Sequence, residues 1–303
     1  MTHTVKSRQE EPPRSSSSPL ERGRQRREAM ARRAQRIADR AQAERGKHGS
    51  LDAVFEMADR DSEIGGGIIA GALAYRLFIW LLPLALVLVA GFGLAADAAS
   101  ESPEATAKSL GIAGLVSRSI ASAAESSTRW YAIVVGVPVL FLATRSVLRV
   151  LIGAHRLVWG EVRAATPKPT PKATLRLLAL ILCYYLVSGV AVWVRSRSVG
   201  LGVLATLAAS IAYAGLWLVI SLRLPHRGAQ WKELVPGAVL FGVGAELIQL
   251  LAAYVLAPYA LNKQGTYGAL GLAAALLVGL FVVSRLMVGA AVVNATLWER
   301  RCA

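Results

Sequence analysis

Three ionisable residues interrupt long apolar stretches of this chain: Arg76, Glu246 and Arg285. An ionised side chain in hydrocarbon costs about 2.5–3.5 kcal/mol on insertion scales, so such groups pair, face a water-filled cavity or meet a ligand of opposite charge. Spacing predicts an antiparallel hairpin of the last two apolar stretches, turning near Gln264-Gly265, with Glu246 18–19 residues before the turn and Arg285 20–21 after it. At a rise of about 1.5 Å per residue the two lie within one helical turn of the same depth, near mid-bilayer. An ion pair between Glu246 and Arg285 is therefore expected. Gln249, three residues beyond Glu246, extends the polar strip on the same face.

Two readings of that pair stay open: a contact that fixes helix register, or a site facing a water-filled cavity. Arg76 lies a few residues into its stretch, where its stem either snorkels to the headgroups or joins the cavity, and Tyr267 is the next candidate to line it. Two arginines against one glutamate leave a spare positive charge, which suits an anionic substrate or lipid headgroup. The substrate-binding candidates are Arg76, Glu246, Gln249, Arg285 and Tyr267.

Other chemistry finds little footing. His3, His48, His155 and His226 are scattered, and no HExxH, carboxylate cluster or P-loop occurs. Cys183 and Cys302 offer neither a disulfide framework nor a metal site. No metal or cofactor is implied and no enzyme is expected. Asn294-Ala295-Thr296 fits a glycosylation sequon by chance, inside an apolar helix.

The elements that must position these residues are helices. Six apolar runs, about 68–96, 130–150, 175–194, 201–222, 235–257 and 270–297, are each long enough to cross about 30 Å of hydrocarbon. The expected fold is all-α: a polytopic six-helix transmembrane bundle with an N-terminal interfacial amphipathic helix. A net charge of +15 is the kind of balance a nucleic-acid binder carries, but residues 1–66 hold 14 Lys/Arg against 11 Asp/Glu, and the remainder falls mostly in short loops. Loops on alternate sides hold 26 and 6 basic residues. Basic loops stay cytoplasmic, so both termini are expected in the cytoplasm of a cell-membrane protein.

Residues 1–50 read as a disordered or partly helical basic arm, and 51–303 as the transmembrane domain. The arm is either a solvated tail or a contact for anionic lipid headgroups, worth about 1 kcal/mol per basic residue near the surface. Leu51, Val54, Phe55, Ala58 and Ile64 form the apolar side of an elbow helix over 51–64, ended by Gly65-Gly66-Gly67. Helical spacing of Ile112, Val116 and Ile120 predicts a short helix in the external loop 97–129. Trp159 is expected as an interface anchor, Pro236 in a first helical turn, and Gly67/Gly71 and Gly265/Gly268/Gly271 at close helix contacts.

Ordered along the membrane region are GALAYRLFIWLLPLALVLVAGFGL (71–94), TRSVLRVLIGAHRLVWG (144–160), WKELVPGAVL (231–240), TYGALGLAAALLVGLF (266–281) and GAAVVNATLWER (289–300). Together these resemble the YihY/BrkB membrane proteins, sometimes labelled ribonuclease BN-like, over roughly 51–300. The last motif departs from the family's Gly-Ala-Glu-x-Asn-Ala ending, with Val292 or Ala291 in the acidic place and Asn294-Ala295 kept. The resemblance implies an inner-membrane protein with six helices and a transport or envelope role. A transporter or exporter of an anionic or amphiphilic small molecule or lipid is the leading expectation. A structural or scaffold protein of the envelope is the rival. The ribonuclease label finds no support in these residues.

Overall fold

Gly65 turns the chain into its first long helix. Its φ of 65° is left-handed, a conformation glycine enters without steric cost, and it separates α1 (Gly49–Glu63) from α2 (Gly66–Ala99). The computed structural model describes residues 49–99, 129–161 and 168–302. After α2 come α3 (Arg129–Val158), α4 (Pro171–Arg195), α5 (Val199–Ser221), α6 (Trp231–Leu251), a π-helical turn (Ala252–Leu256) and α7 (Ala257–Cys302). All regular structure among the described residues is helical. The basic arm and the helix expected in the external loop lie outside the described residues, as do the side chains of 255–272.

Helices α2 to α7 each carry a stretch long and apolar enough to cross a membrane, from Gly66–Leu88 to Ala273–Cys302. They are apolar around the whole circumference, the pattern of a membrane span rather than of a surface helix. Leu186, Ile211 and Val243, for instance, remain exposed on the outside of the bundle. The helix starts are locally encoded. Thr170 Oγ accepts from the Ala173 amide at 3.3 Å ahead of Pro171, and Ser198 Oγ accepts from the Leu201 amide at 3.3 Å. At α6 the Gln230 amide donates to Glu233 Oε2 at 2.7 Å.

By internal contacts the chain divides into two units, Met1–Phe55 and Glu56–Ala303, and the six long helices all lie in the second. In that unit each helix packs on its neighbour in sequence, and α7 closes back on α2, making a six-membered ring. One apolar cluster runs through the ring: Leu73, Leu77 and Trp80 of α2, Leu148 of α3, Leu177 of α4, Tyr213 and Trp217 of α5, Phe241 of α6 and Ala290 of α7. Trp217 and Phe241 stack with centroids 4.5 Å apart, and Trp80 Nε1 donates to Thr144 Oγ1 at 2.8 Å.

Four expectations need correction. Helical backbone continues through Gln264-Gly265, where spacing predicts a turn; no proline follows Pro258 in this helix to stop it. Gly237 meets Ala290 and Asn294, and Gly244 meets Leu286, so α6 and this part of α7 are still antiparallel. A Cβ at Gly67 or Gly71 would meet open space; the tight contacts among the described residues are at Gly66, Gly136, Gly237, Gly242 and Gly244. Pro236 lies in the second turn of α6, because the Gln230–Glu233 cap starts that helix at Trp231. Trp159 is 1% exposed, buried against Trp298 at 5.6 Å rather than anchored at an interface.

Candidate functional site

Helices α4, α5 and α6 each turn a polar stripe toward one another. On α4 the stripe is Tyr184, Ser188 and Arg195, spaced four and seven residues apart; on α5 it is Thr206 and Tyr213; on α6 it is Glu246 and Gln249. Such spacings return a side chain to nearly the same helix face. Arg195 Nη2 pairs with Glu246 Oε1, with side chains 7% and 3% exposed. Arg195 Nε donates to Thr206 Oγ1 at 3.2 Å. Tyr213 donates its hydroxyl to Gln249 Oε1 at 2.5 Å, and Gln249 Nε2 donates to Ser188 Oγ. The Tyr184 and Tyr213 rings lie 4.5 Å apart, closing this network on the bundle side.

The second oxygen of the carboxylate, Glu246 Oε2, is buried with no hydrogen-bond partner. Such a group bears the full desolvation cost that a partner would offset. On the other side of Arg195 lies a cleft of about 510 Å³, within the range of small-ligand sites. Arg195, Ser196, Arg197, Ser198 and Thr206 form its polar wall, and Val203, Leu207, Leu250 and Tyr254 its apolar wall. The Arg197 guanidinium stacks over Trp193 at 4.4 Å. One face of this site is therefore cationic and hydroxyl-rich, and the other can receive hydrocarbon.

Glu246 and Arg285 are not paired. Gly237 and Gly244 of α6 face α7, and Glu246, two residues beyond Gly244, lies about 200° further round the helix. It shares instead the face of Gly242, which touches Ser210 and Ala214 of α5. In depth Glu246 is 8 residues from the Tyr254 end of its span and 15 from Trp231, on the α4–α5 side of the middle.

Arg285 makes a two-pronged pair with Asp61 at the end of α1, Nη1 to Oδ1 and Nη2 to Oδ2, both 2.9 Å. It belongs to an ionic cluster formed with α1 and the last turn of α7. There Arg60 bonds Glu299 and donates to the Val158 carbonyl at 2.6 Å, and Arg300 pairs with Glu56 at 3.2 Å. Gln249, three residues beyond Glu246, bonds Tyr213 and Ser188. Arg76 is exposed on α2, away from this network, and the side chain of Tyr267 lies outside the described residues.

Sequence reasoning misses Arg195 because it ends its apolar run and reads as a loop charge. A signal is nonetheless present: Ser188 stands seven residues before it, so the last turn of α4 already has a polar face. Asn294 also has a structural role. It is 1% exposed, and its Oδ1 accepts from the Gly237 amide at 2.7 Å, joining α6 to α7. The chance sequon is thus closed to modification. Val292 and Ala291, the two candidates for the resemblance's acidic place, are 2% and 3% exposed within an apolar cluster.

Among the described residues no group of three or more His, Cys, Asp or Glu side chains could hold a metal ion. No curated protein and no solved structure matches the chain. The family model described as Virulence factor BrkB matches residues 60–303, a region that takes in the whole helix ring, the Arg195–Glu246 pair and the Asp61–Arg285 pair. Six apolar helices and that match make this an integral membrane protein, and the chain belongs to the BrkB virulence factor family.

Proposed function

We propose that the protein is a transporter or exporter that moves an anionic or amphiphilic small molecule or lipid across the cell membrane, with both termini cytoplasmic. One observation carries the reading: a two-faced cleft ends on Arg195, which is itself held by the buried carboxylate of Glu246. A purely structural helix bundle gains little from a buried ion pair, which often stabilises less than apolar residues of the same shape. The 26-to-6 division of basic residues supports the orientation. With the termini inside, the α4–α5 junction and its cleft lie toward the outer side.

The rival is a non-catalytic scaffold of the envelope, and it draws on the apolar cluster that ties all six helices together. Reconstituted vesicles separate the two. Fluorescent short-chain lipids with anionic and zwitterionic headgroups, placed in one leaflet, should cross faster in vesicles holding the protein, the anionic ones most. Arg195→Gln should remove that preference. Equal rates with and without protein across the panel would leave the scaffold.

A further inference from the structure

The residue that lines the cleft is also the counter-ion of a buried acid. Arg195 presents one part of its guanidinium to Glu246 and Thr206 and lies in the polar wall of the cleft beside Ser196 and Ser198. A guanidinium is a planar fork of five N–H donors, matched to the oxygens of a carboxylate or a phosphate. Hydroxyls and a second guanidinium, Arg197, stand next to it. An oxyanion entering the cleft therefore competes with Glu246 for the same arginine. The apolar wall of Leu207, Leu250 and Tyr254 then takes the hydrocarbon attached to it.

Glu246 has little else to hold its charge. Its side chain is 3% exposed, and Oε2 has no partner even with Arg195 in place. Near it are Tyr184 from α4 and Tyr213 from α5; Thr206 bonds the same arginine, Gln249 on its own helix bonds Tyr213 and Ser188, and Arg285 of α7 is engaged by Asp61. Among the described residues the cation set against Glu246 is Arg195. Once that charge is drawn toward a ligand, a lone buried carboxylate is costly, and such a group takes a proton instead.

We propose that the cleft binds the phosphate oxyanion of an amphiphile at Arg195, and that Glu246 takes up one proton for each anion bound. The proton comes from hydronium of the solvent that reaches the cleft: its O–H bond breaks, leaving water, as the new O–H bond forms on the Glu246 carboxylate. Anion and proton then occupy the site together, with Arg195 exchanging its internal carboxylate for the ligand. The inference rests on the transport reading, and it names the substrate chemistry and the coupled ion for that same site.

The test uses the full chain in nanodiscs of zwitterionic lipid, weakly buffered, with a pH-indicator dye. The probes are diethyl phosphate and dioctanoyl phosphatidylglycerol, phosphodiesters that do not titrate near neutral pH. The expected result is binding with uptake of about one proton per site, and an affinity that weakens by up to about tenfold per pH unit as pH rises. Glu246→Gln should bind the same probe with no proton uptake and a flat pH dependence. Binding of the lipid alone, or much tighter than the ester, supports an amphiphile's headgroup as the source of the oxyanion, and equal binding of both probes overturns the part given to the apolar wall. Binding to wild-type protein without proton uptake overturns the coupling while leaving the transport reading in place. Binding of neither probe overturns the oxyanion site itself. The wild-type proton count decides the matter even if Glu246→Gln does not fold.

Discussion

Arg195, the last residue of α4, pairs with Glu246 of α6, and both side chains are more than nine-tenths buried. The link joins two helices that flank α5 in the ring, so it holds three helices in one register. Removing one partner strands the other charge, at a cost of about 3–5 kcal/mol. Arg195→Leu should therefore lower stability strongly, and adding Glu246→Leu should recover part of the loss. The Glu246→Leu and Arg285→Leu pair should add within about 0.5 kcal/mol, since each residue has its own partner. A double-mutant cycle on denaturant unfolding in detergent reads both. A large coupling between Glu246 and Arg285 would contradict the geometry described.

The glycines separate just as sharply. A Cβ on Gly237 would run into the Ala290 carbonyl oxygen and the Asn294 carboxamide, forcing α6 and α7 apart. Gly237→Ala should cost about 1–3 kcal/mol, the range for overpacking. Gly67→Ala and Gly71→Ala meet open space and should stay within about 0.5 kcal/mol of wild type. Thermal unfolding of the three variants side by side is sufficient.

The Asp61–Arg285 pair is partly open to solvent, with side chains 24% and 38% exposed. Asp61→Asn should accordingly cost about 1 kcal/mol or less globally. Its effect should be local. Hydrogen exchange of residues 56–63 should quicken while α2 to α7 keep their protection. Raising salt in the wild type should move exchange of the same segment in the same direction. Uniform loss of protection across the bundle would give this pair a larger role.

Orientation can be read from two exposed serines, Ser196 beside the cleft and Ser62 near the end of α1. With Cys183 and Cys302 replaced by serine, Ser196→Cys should react in intact cells with a membrane-impermeant maleimide. Ser62→Cys should react only after the membrane is broken. The reverse pattern would invert the topology and put the cleft in the cytoplasm.

Much of this protein is written along the chain. Six all-round apolar runs specify six spans, because a backbone in hydrocarbon must satisfy its own hydrogen bonds within each helix. Gly65 before α2, Thr170 before α4 and Ser198 before α5 mark local boundaries, since turns and caps depend only on near neighbours. That Glu246 cannot face lipid is equally plain from the sequence, and so is the place of Gln249 on its side of the helix.

Partner choice is not legible in that way. Sequence spacing gives the depth of a residue and its angle on its own helix, but not which helix stands at that angle. Depth alone matches Glu246 with Arg285, whereas Gly237 and Gly244 turn a different face of α6 toward α7. Closure of the ring through α7 and α2 then leaves Glu246 against α4 and α5, and sends Arg285 to Asp61. Arg195 shows the same limit from the other side: a charge at the end of an apolar run reads as a loop residue until the packing of three helices draws it inward. Helix identity follows from short-range forces that the chain carries with it, while pairing between helices is settled by which small residues permit close approach once all six are assembled.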